Sequence, residues 1–115
     1  MFFLDRQRAV NLHQAWDSLI LNNRKGRTRI LDYAEALNAK ISKEQSEAWA
    51  QGMSRAWADE SHRIAMESAY KDVSANGDPP KLNQAYLDRA GLVIDEQLQR
   101  AGVRRATILN RALRK

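Results

Sequence analysis

The stretch that decides the fold lies near the N-terminus and reads Asn11-Leu12-His13-Gln14-Ala15-Trp16-Asp17-Ser18-Leu19-Ile20. Asn11 is a suitable N-cap, because its side-chain oxygen can accept a hydrogen bond from a free backbone N–H group of the first helical turn. At about 100° per residue, the apolar side chains from Leu12 to Ile20 fall on one arc. The stretch therefore predicts an amphipathic helix with one face in the core.

The same helical spacing continues along the chain. Helical segments are predicted for residues 28–41, 42–52, 54–70 and 86–101, followed by a bend at Gly102 and a short last helix to Leu113. The clearest loop is Ser74–Pro80, because it combines an Asn-Gly pair with two prolines. The only strand candidate is Met1–Leu4. We therefore predict an all-α helical bundle with at most a short N-terminal strand.

Composition excludes several classes of protein. The 115 residues include no cysteine, so the chain has no disulfide framework and no thiolate metal site. Only two histidines are present, so a transition metal would also need carboxylate or backbone ligands. No apolar run approaches the ~18–20 residues of a membrane span, and Met1–Asp5 is too short for the core of a signal peptide. No membrane association is predicted.

His13 and Asp17 form the one constellation of chemical interest. They are four residues apart, so on a helix both side chains lie on one face, at the margin of the apolar arc. A neutral imidazole and a carboxylate placed there suit Zn²⁺. The same spacing suits a local ion pair, and two ligands do not complete a zinc site, which takes about three protein ligands plus water in catalysis. The residues alone leave both interpretations open.

The other aromatic, acidic and histidine residues fit a structural interpretation. The tryptophans at helical spacing are expected to anchor the core; they are Trp16, Trp49 and Trp57. The acidic residues of the predicted helices are interpreted as solvated faces; they include Asp59, Glu60, Asp88, Asp95 and Glu96. His62 is interpreted as a partly buried helix residue. Because no Gly-rich phosphate loop or nucleophile elbow is present, no catalytic residue is assigned.

The excess positive charge lies in the tail. The formal charge is +5, and no acidic residue follows Glu96, whereas six basic residues do: Arg100, Arg104, Arg105, Arg111, Arg114 and Lys115. Such a terminus suits weak nucleic-acid binding, because cationic side chains displace counterions from phosphates. The candidates are Arg104, Arg105 and Arg111. The basic tail also suits a helix C-terminus, where cationic side chains meet the negative end of the macrodipole.

Several stretches, in order, resemble one family. Residues 11–17 resemble the Asn-Leu-His-x-x-Trp-Asp motif of the "S-one/P-one" family of zinc-dependent single-strand nucleases, relatives of bacterial zinc phospholipase C. Residues 57–61 resemble the family's Trp-Ala-x-Glu-Ser helix, and Tyr70 its helix-ending tyrosine. The family's closing pattern is resembled by four stretches of this chain: Tyr86, Gln97-Leu98, Ala101-Gly102-Val103-Arg104 and Leu109-Asn110. The resemblance covers nearly all of this chain but only the C-terminal half or less of a typical family member.

The resemblance implies a fold, a metal and a reaction. Residues 1–115 would be a single partial domain, the C-terminal portion of the phospholipase C/nuclease fold. His13 and Asp17 match two ligands of the zinc that lies apart from a zinc pair in the family's three-zinc centre. The family's metals activate water for hydrolysis of phosphodiester bonds in single-stranded DNA or RNA, and family members often remove 3′-phosphates from nucleotides.

The resemblance also implies an upstream partner. The family's N-terminal Trp ligand and its remaining His and Asp ligands would lie in a missing N-terminal half. A signal sequence would be lost with that half, since family members are typically periplasmic or secreted. An aromatic strand comparable to Phe2-Phe3 is, in the family, the second arm of a small hairpin before the first motif.

Two functions follow as alternatives. The first is a fragment of a zinc-dependent endonuclease and 3′-nucleotidase, which contributes two zinc ligands to at most one partial site and is inactive alone. The second is a non-catalytic helical accessory or remnant domain that binds nucleic acid weakly through its Arg-rich C-terminus.

Overall fold

The computed structural model describes residues 2–4, 8–10, 15–69, 81–82 and 84–114. Within these ranges lie five α-helices, named α1 (Ile20–Lys25), α2 (Ile30–Ala39), α3 (Lys43–Trp49), α4 (Ser54–Ile64) and α5 (Gln84–Leu113). Two π-helical segments, Ala15–Leu19 and Ala65–Ala69, directly precede α1 and directly follow α4. The predicted all-α class is confirmed. The loop predicted at 74–80 lies outside the described residues.

Three very short strands form a small sheet. β1 (Phe2–Leu4) pairs antiparallel with β2 (Arg8–Val10) and parallel with β3 (Lys81–Leu82), which gives the order β2-β1-β3. β1 agrees with the single N-terminal strand expected, and β2 and β3 are additional. Strands of two or three residues are too short to display a period-two pattern in the sequence. β1 is the first arm of its hairpin with β2, whereas the resemblance implied a second arm.

The helix boundaries follow from local residues. α1 ends at Gly26, whose φ of +60° favours a residue without a Cβ. α3 begins with a capping box: the N–H of Gln45 donates to Ser42 Oγ at 3.0 Å, and the N–H of Ser42 donates to Gln45 Oε1 at 2.9 Å. Gly52, with φ of +89°, separates α3 from α4 as predicted.

The last helix differs from its prediction. The expected bend at Gly102 is wrong, because α5 runs without a break for 30 residues, about 45 Å at 1.5 Å per residue. A glycine inside a helix costs only about 1 kcal/mol relative to alanine. Packing of α5 against both α1 and α3 offsets that cost. One continuous helix therefore connects the N-terminal part of the fold with the α3–α4 pair.

Within the described residues, the core cluster lies where the N-terminal helical segments meet α5. Its buried members are Ala15, Ile20, Tyr86, Leu87, Ala90 and Ile94, and Trp16, Leu19 and Leu21 pack against them. Other large apolar side chains of α5 are exposed, among them Leu92 at 61% and Leu113 at 77%. In the ranges that the structure describes, no helix combines the length and the hydropathy needed to cross a membrane.

Candidate metal centre

The predicted ligand Asp17 lies in the π-helical segment Ala15–Leu19. Its side chain is exposed, whereas Ala15 and Ile20 on either side of it have no exposed surface. The carboxylate therefore lies at the edge of the core, as the helical arc predicted. π-Helical turns are rare and often occur at functional sites. His13 lies outside the described residues, so its pairing with Asp17 stays a prediction.

A chain of hydrogen bonds fixes the residue that precedes Asp17. Trp16 Nε1 donates to the hydroxyl of Tyr86 at 2.9 Å, and that hydroxyl donates to the backbone oxygen of Ala69 at 2.9 Å. The Trp16 and Tyr86 rings also meet edge to face, with centroids 6.3 Å apart and an interplanar angle of 82°. The two π-helical segments are thus joined through one side chain of α5.

The described residues fit zinc chemistry only in part. Asp17 offers a carboxylate, which is a suitable zinc donor. Among the residues that the structure describes, however, no group of three or more His, Asp or Glu side chains could hold a metal ion. His62 is exposed on α4, so its interpretation as a partly buried residue is wrong. Any further zinc ligands would have to lie outside the described residues.

Glu60 and two arginines form a half-buried ion cluster between α4 and α5. Glu60 Oε1 lies 2.7 Å from Arg100 Nη1 and 2.8 Å from Arg104 Nη1, and the three side chains are only 26%, 17% and 11% exposed. The pKa of Glu60 is held below its usual value chiefly by the hydrogen bond to Arg104. Partial burial acts in the opposite direction, and Arg100 lowers the pKa further. The interpretation of Glu60 as a solvated face is therefore wrong.

The same arginines lie over two tryptophans. The Arg100 guanidinium is 5.4 Å from the ring centroid of Trp49, and the Arg104 guanidinium is 5.3 Å from that of Trp57. Arg104 Nε also donates to the backbone oxygen of Trp49 at 3.1 Å. Arg104, which the sequence suggested for nucleic-acid binding, thus joins α3, α4 and α5, and its contact with nucleic acid stays a prediction.

The other two arginines suggested for nucleic-acid binding are more accessible. Arg105 and Arg111 are both exposed on α5. Arg111 Nη2 donates to the backbone oxygen of Ala50 at 3.2 Å. Their contact with nucleic acid stays a prediction.

Asp95 was also interpreted as solvated, and this too is wrong. Its side chain is 16% exposed, and it accepts from Arg24 Nε at 3.1 Å and from the hydroxyl of Tyr33. The side chain of Arg24 lies against Gly91, where a Cβ would approach its Cδ to 2.9 Å. The cluster therefore joins α1, α2 and α5, and a side chain at position 91 would displace the side chain of Arg24.

Tyr33 makes this cluster sensitive to alkaline pH. Burial, followed by the hydrogen bond to Asp95, raises the pKa of Tyr33 to about 12. Because the pKa in the unfolded chain is about 10, this contribution to stability is complete below pH ~10 and is lost as the pH rises through ~12. We expect the unfolding midpoint in urea to fall more steeply over that range in the unmutated chain than in Tyr33→Phe. Equal slopes would contradict the assignment.

A groove of about 640 Å³ lies between α1, α2 and α5. Its lining is mainly apolar and includes Leu37, Leu98 and Val103, together with Tyr33. Asp17 is not part of this lining. The groove is therefore separate from the predicted metal ligand.

The stretches that carry the family resemblance meet in pairs. Trp16 of the first stretch bonds to Tyr86 of the closing pattern, 70 positions along the chain. Glu60 of the middle stretch pairs with Arg104, also of the closing pattern. Each pair joins two separate elements, so these motif residues stabilise the fold. Their order in the sequence signalled the family, but it gave no sign of which residues would touch.

Comparison with known proteins agrees with these observations. Residues 2–114 match the family model described as S1/P1 Nuclease. No curated protein and no solved structure matches the chain. Since the family match extends over nearly the whole sequence, this chain belongs to the S1/P1 nuclease family.

Proposed function

We propose that the chain is part of a zinc-dependent nuclease in which His13 and Asp17 bind one zinc ion. The observation that carries this proposal is the placement of Asp17. Its exposed carboxylate lies in a π-helical segment whose first residue, Ala15, and whose following residue, Ile20, are fully buried. A ligand held in this way loses little conformational freedom when it binds a metal. Membership of a generally zinc-dependent nuclease family supports the same assignment.

The reaction we propose is hydrolysis of phosphodiester bonds in single-stranded DNA or RNA, with release of 3′-phosphates from nucleotides. Zinc, when bound, lowers the pKa of a coordinated water and neutralises charge on phosphate oxygens. The contribution of this chain is to hold an imidazole and a carboxylate at the edge of a rigid core. The nucleic-acid substrate class follows from the family, and the ligand roles follow from the motif around Asp17.

We propose further that the chain alone is inactive. A catalytic zinc takes about three protein ligands, and the described residues offer no group of three. His13 and Asp17 would therefore bind zinc weakly until an N-terminal half supplies the remaining ligands. Cleavage of single-stranded DNA by the purified chain, if it were lost in His13→Ala, would show that this part of the proposal is wrong.

Zinc affinity tests the ligand assignment directly. Loss of a residue that merely supports a ligand lowers metal affinity roughly 10- to 100-fold, so His13→Ala and Asp17→Ala are each expected to lower it by at least about tenfold. His62→Ala and Asp59→Ala are matched controls, because both remove the same chemical groups from exposed positions on α4. Isothermal titration with Zn²⁺ measures the effect. Equal affinities in all four variants would contradict the assignment.

The second candidate function, weak nucleic-acid binding by a non-catalytic domain, is favoured by the exposure of Arg105 and Arg111. Binding of single-stranded DNA should then weaken with salt, and Arg105→Ala or Arg111→Ala should each reduce the logarithmic salt slope by about one. Arg55→Ala, exposed on α4, is the control. Fluorescence anisotropy at several salt concentrations measures the slopes. Slopes unchanged in both tail variants would contradict this function.

A further inference from the structure

We propose that the groove between α1, α2 and α5 binds a free single-chain amphiphile of the fatty-acid class, with its carboxylate at Lys25. The groove has a volume of about 640 Å³, within the range of about 300–1,000 Å³ that is usual for small-molecule sites. Asp17 does not line it. The proposal therefore stands or falls independently of the proposed nuclease function.

The groove follows two helices that run in the same direction. The Tyr33 hydroxyl of α2 donates to Asp95 of α5. One turn further along both helices, Gln99 Nε2 donates to the backbone oxygen of Leu37 at 2.8 Å. The lining on α5 extends over positions 98–110, which is about 18 Å at 1.5 Å per residue. A ligand that fills the groove is therefore an extended molecule rather than a compact one.

The walls of the groove suit an apolar chain. Their large apolar side chains are Leu21, Ile30, Leu37, Ile41, Leu98 and Val103. Three polar lining residues already donate to oxygen atoms of the protein, namely Tyr33, Gln99 and Thr107. Ile30 is 69% exposed and Leu98 is 44% exposed. A bound apolar chain would remove this surface from water, which is the driving force for its binding.

Lys25 is the one lining residue that carries a charge. Its Nζ donates to the backbone oxygens of Thr28 at 2.6 Å and of Gly26 at 3.4 Å. An ammonium group has three donors, so one donor remains, and neutral carbonyls leave the charge uncompensated. Asp95 does not compensate it, because Asp95 is paired with Arg24 at 3.1 Å. Within the part of the chain that the structure describes, Lys25 forms no ion pair with a carboxylate.

This charge decides which amphiphile fits. Lys25 ends α1, whose preceding residue Arg24 bonds to Asp95 of α5, so the cation lies at the end of the groove where the α5 lining begins. A carboxylate with an apolar chain provides the opposite charge at that end and apolar surface along the rest. An uncharged chain would leave the cation unpaired, and a cationic amphiphile would place like charges side by side, which is unfavourable.

Two substitutions test the groove and the charge separately. Gly102 lines the groove, and a Cβ built there meets no other atom within 4 Å, so Gly102→Leu fills the groove without a clash. Leucine is also a better helix former than glycine, so α5 should be retained. The control is Ala101→Leu, at an exposed neighbouring position of α5 outside the lining. Lys25→Met removes the charge but keeps a long unbranched side chain, and its control is Lys40→Met, exposed at the end of α2 and also outside the lining.

The experiment is calorimetric titration of the 115-residue chain with dodecanoate below the concentration at which micelles form, with circular dichroism to verify that each variant is folded. We expect Gly102→Leu to weaken binding by at least about tenfold, because an apolar site discriminates strongly against lost space. Lys25→Met should weaken it by about five- to tenfold, and the two controls should bind like the unmutated chain. Dodecyltrimethylammonium, with the same chain and the opposite charge, should bind more weakly than dodecanoate, and Lys25→Met should remove this preference.

Four results would overturn the proposal. The first is that dodecanoate does not bind, or binds equally to Gly102→Leu and Ala101→Leu. The second is equal binding by Lys25→Met and Lys40→Met. The third is binding to phosphatidylglycerol vesicles without binding of free dodecanoate, because the partner would then be a membrane surface. The fourth is a dimer in gel filtration that Gly102→Leu converts to a monomer, because a second copy of the chain would then occupy the groove. Should Gly102→Leu fail to fold, Ala106→Leu in the same lining decides the question.

Discussion

Replacing Glu60 by glutamine is expected to lower the free energy of unfolding by about 2–3 kcal/mol. The substitution preserves shape but removes the negative charge that two arginines share at 2.7 and 2.8 Å. Arg100 retains a second carboxylate, since its Nη2 lies 3.2 Å from Glu96 Oε2. Arg104 is 11% exposed and would be left with a backbone oxygen and the Trp57 ring as partners. The loss should therefore come mainly from a half-buried guanidinium that has lost its counter-charge.

The control for this substitution is Glu67→Gln. Glu67 pairs with Arg63 at 3.0 Å, but both side chains are about 60% exposed, at 61% and 59%. Exposed pairs of this kind contribute only about 0–1 kcal/mol. Urea unfolding followed by circular dichroism compares the two variants. If Glu60→Gln proves no more damaging than Glu67→Gln, the cluster does not stabilise the fold.

Acid unfolding provides an independent test of the same cluster. The pKa of Glu60 is lowered in the folded state, chiefly by Arg104. The stabilisation is therefore present above the usual pKa of a glutamate, about 4.3, and is lost as the pH falls below it through the lowered value. Glu60→Gln has no such group to titrate. Its stability should depend less on pH in this acidic range than that of the unmutated chain.

The helices could be predicted from the sequence because each is determined by residues close together in the chain. The spacing of apolar residues, the Ser42 capping box and the glycines that end α1 and separate α3 from α4 all act over a few positions. The bend predicted at Gly102 was wrong because a helix can also accommodate a glycine. Whether it ends one depends on packing elsewhere along the helix, which the local sequence does not contain.

The charged clusters could not be predicted from the sequence, for a related reason. Periodicity placed Glu60 and Asp95 on helices but could not identify which distant side chains face them. Glu60 meets Arg100 and Arg104 on α5, and Asp95 meets Arg24 on α1. One clue was present: no acidic residue follows Glu96, so Arg104, unlike Arg100, has no carboxylate one turn away on its own helix.

The assignment of His13 and Asp17 as metal ligands stays a prediction, but the surroundings of Asp17 are described and could not be predicted. Asp17 and His13 could be selected by spacing and by family resemblance. The Tyr86 hydroxyl, in contrast, becomes relevant only when α5 is packed on the π-helical segment. A tyrosine in a closing motif gives no indication of which indole it accepts from, because that depends on the contact between elements far apart in sequence.

Replacing Ile20 by alanine is expected to lower the free energy of unfolding by about 3 kcal/mol, within the 2–5 kcal/mol typical of such cavities. Ile20 has no exposed surface and is the largest fully buried side chain among the described residues. Among the residues whose burial the structure describes, its core cluster has six buried members, and two of them are alanines with no side chain long enough to fill the space. Natural domains are stable by about 5–15 kcal/mol, so this single change removes a large fraction of the total.

Ile30→Ala is the matched control, because the chemical change is identical while Ile30 is 69% exposed at the start of α2. It is expected to change stability by no more than about 0.5 kcal/mol. Urea unfolding measures both variants, and similar losses would mean that the core is not where Ile20 lies. The comparison also bears on the metal ligand. Ile20 directly follows the segment that carries Asp17, so, if Asp17 binds zinc as proposed, a cavity there should weaken Zn²⁺ binding together with stability.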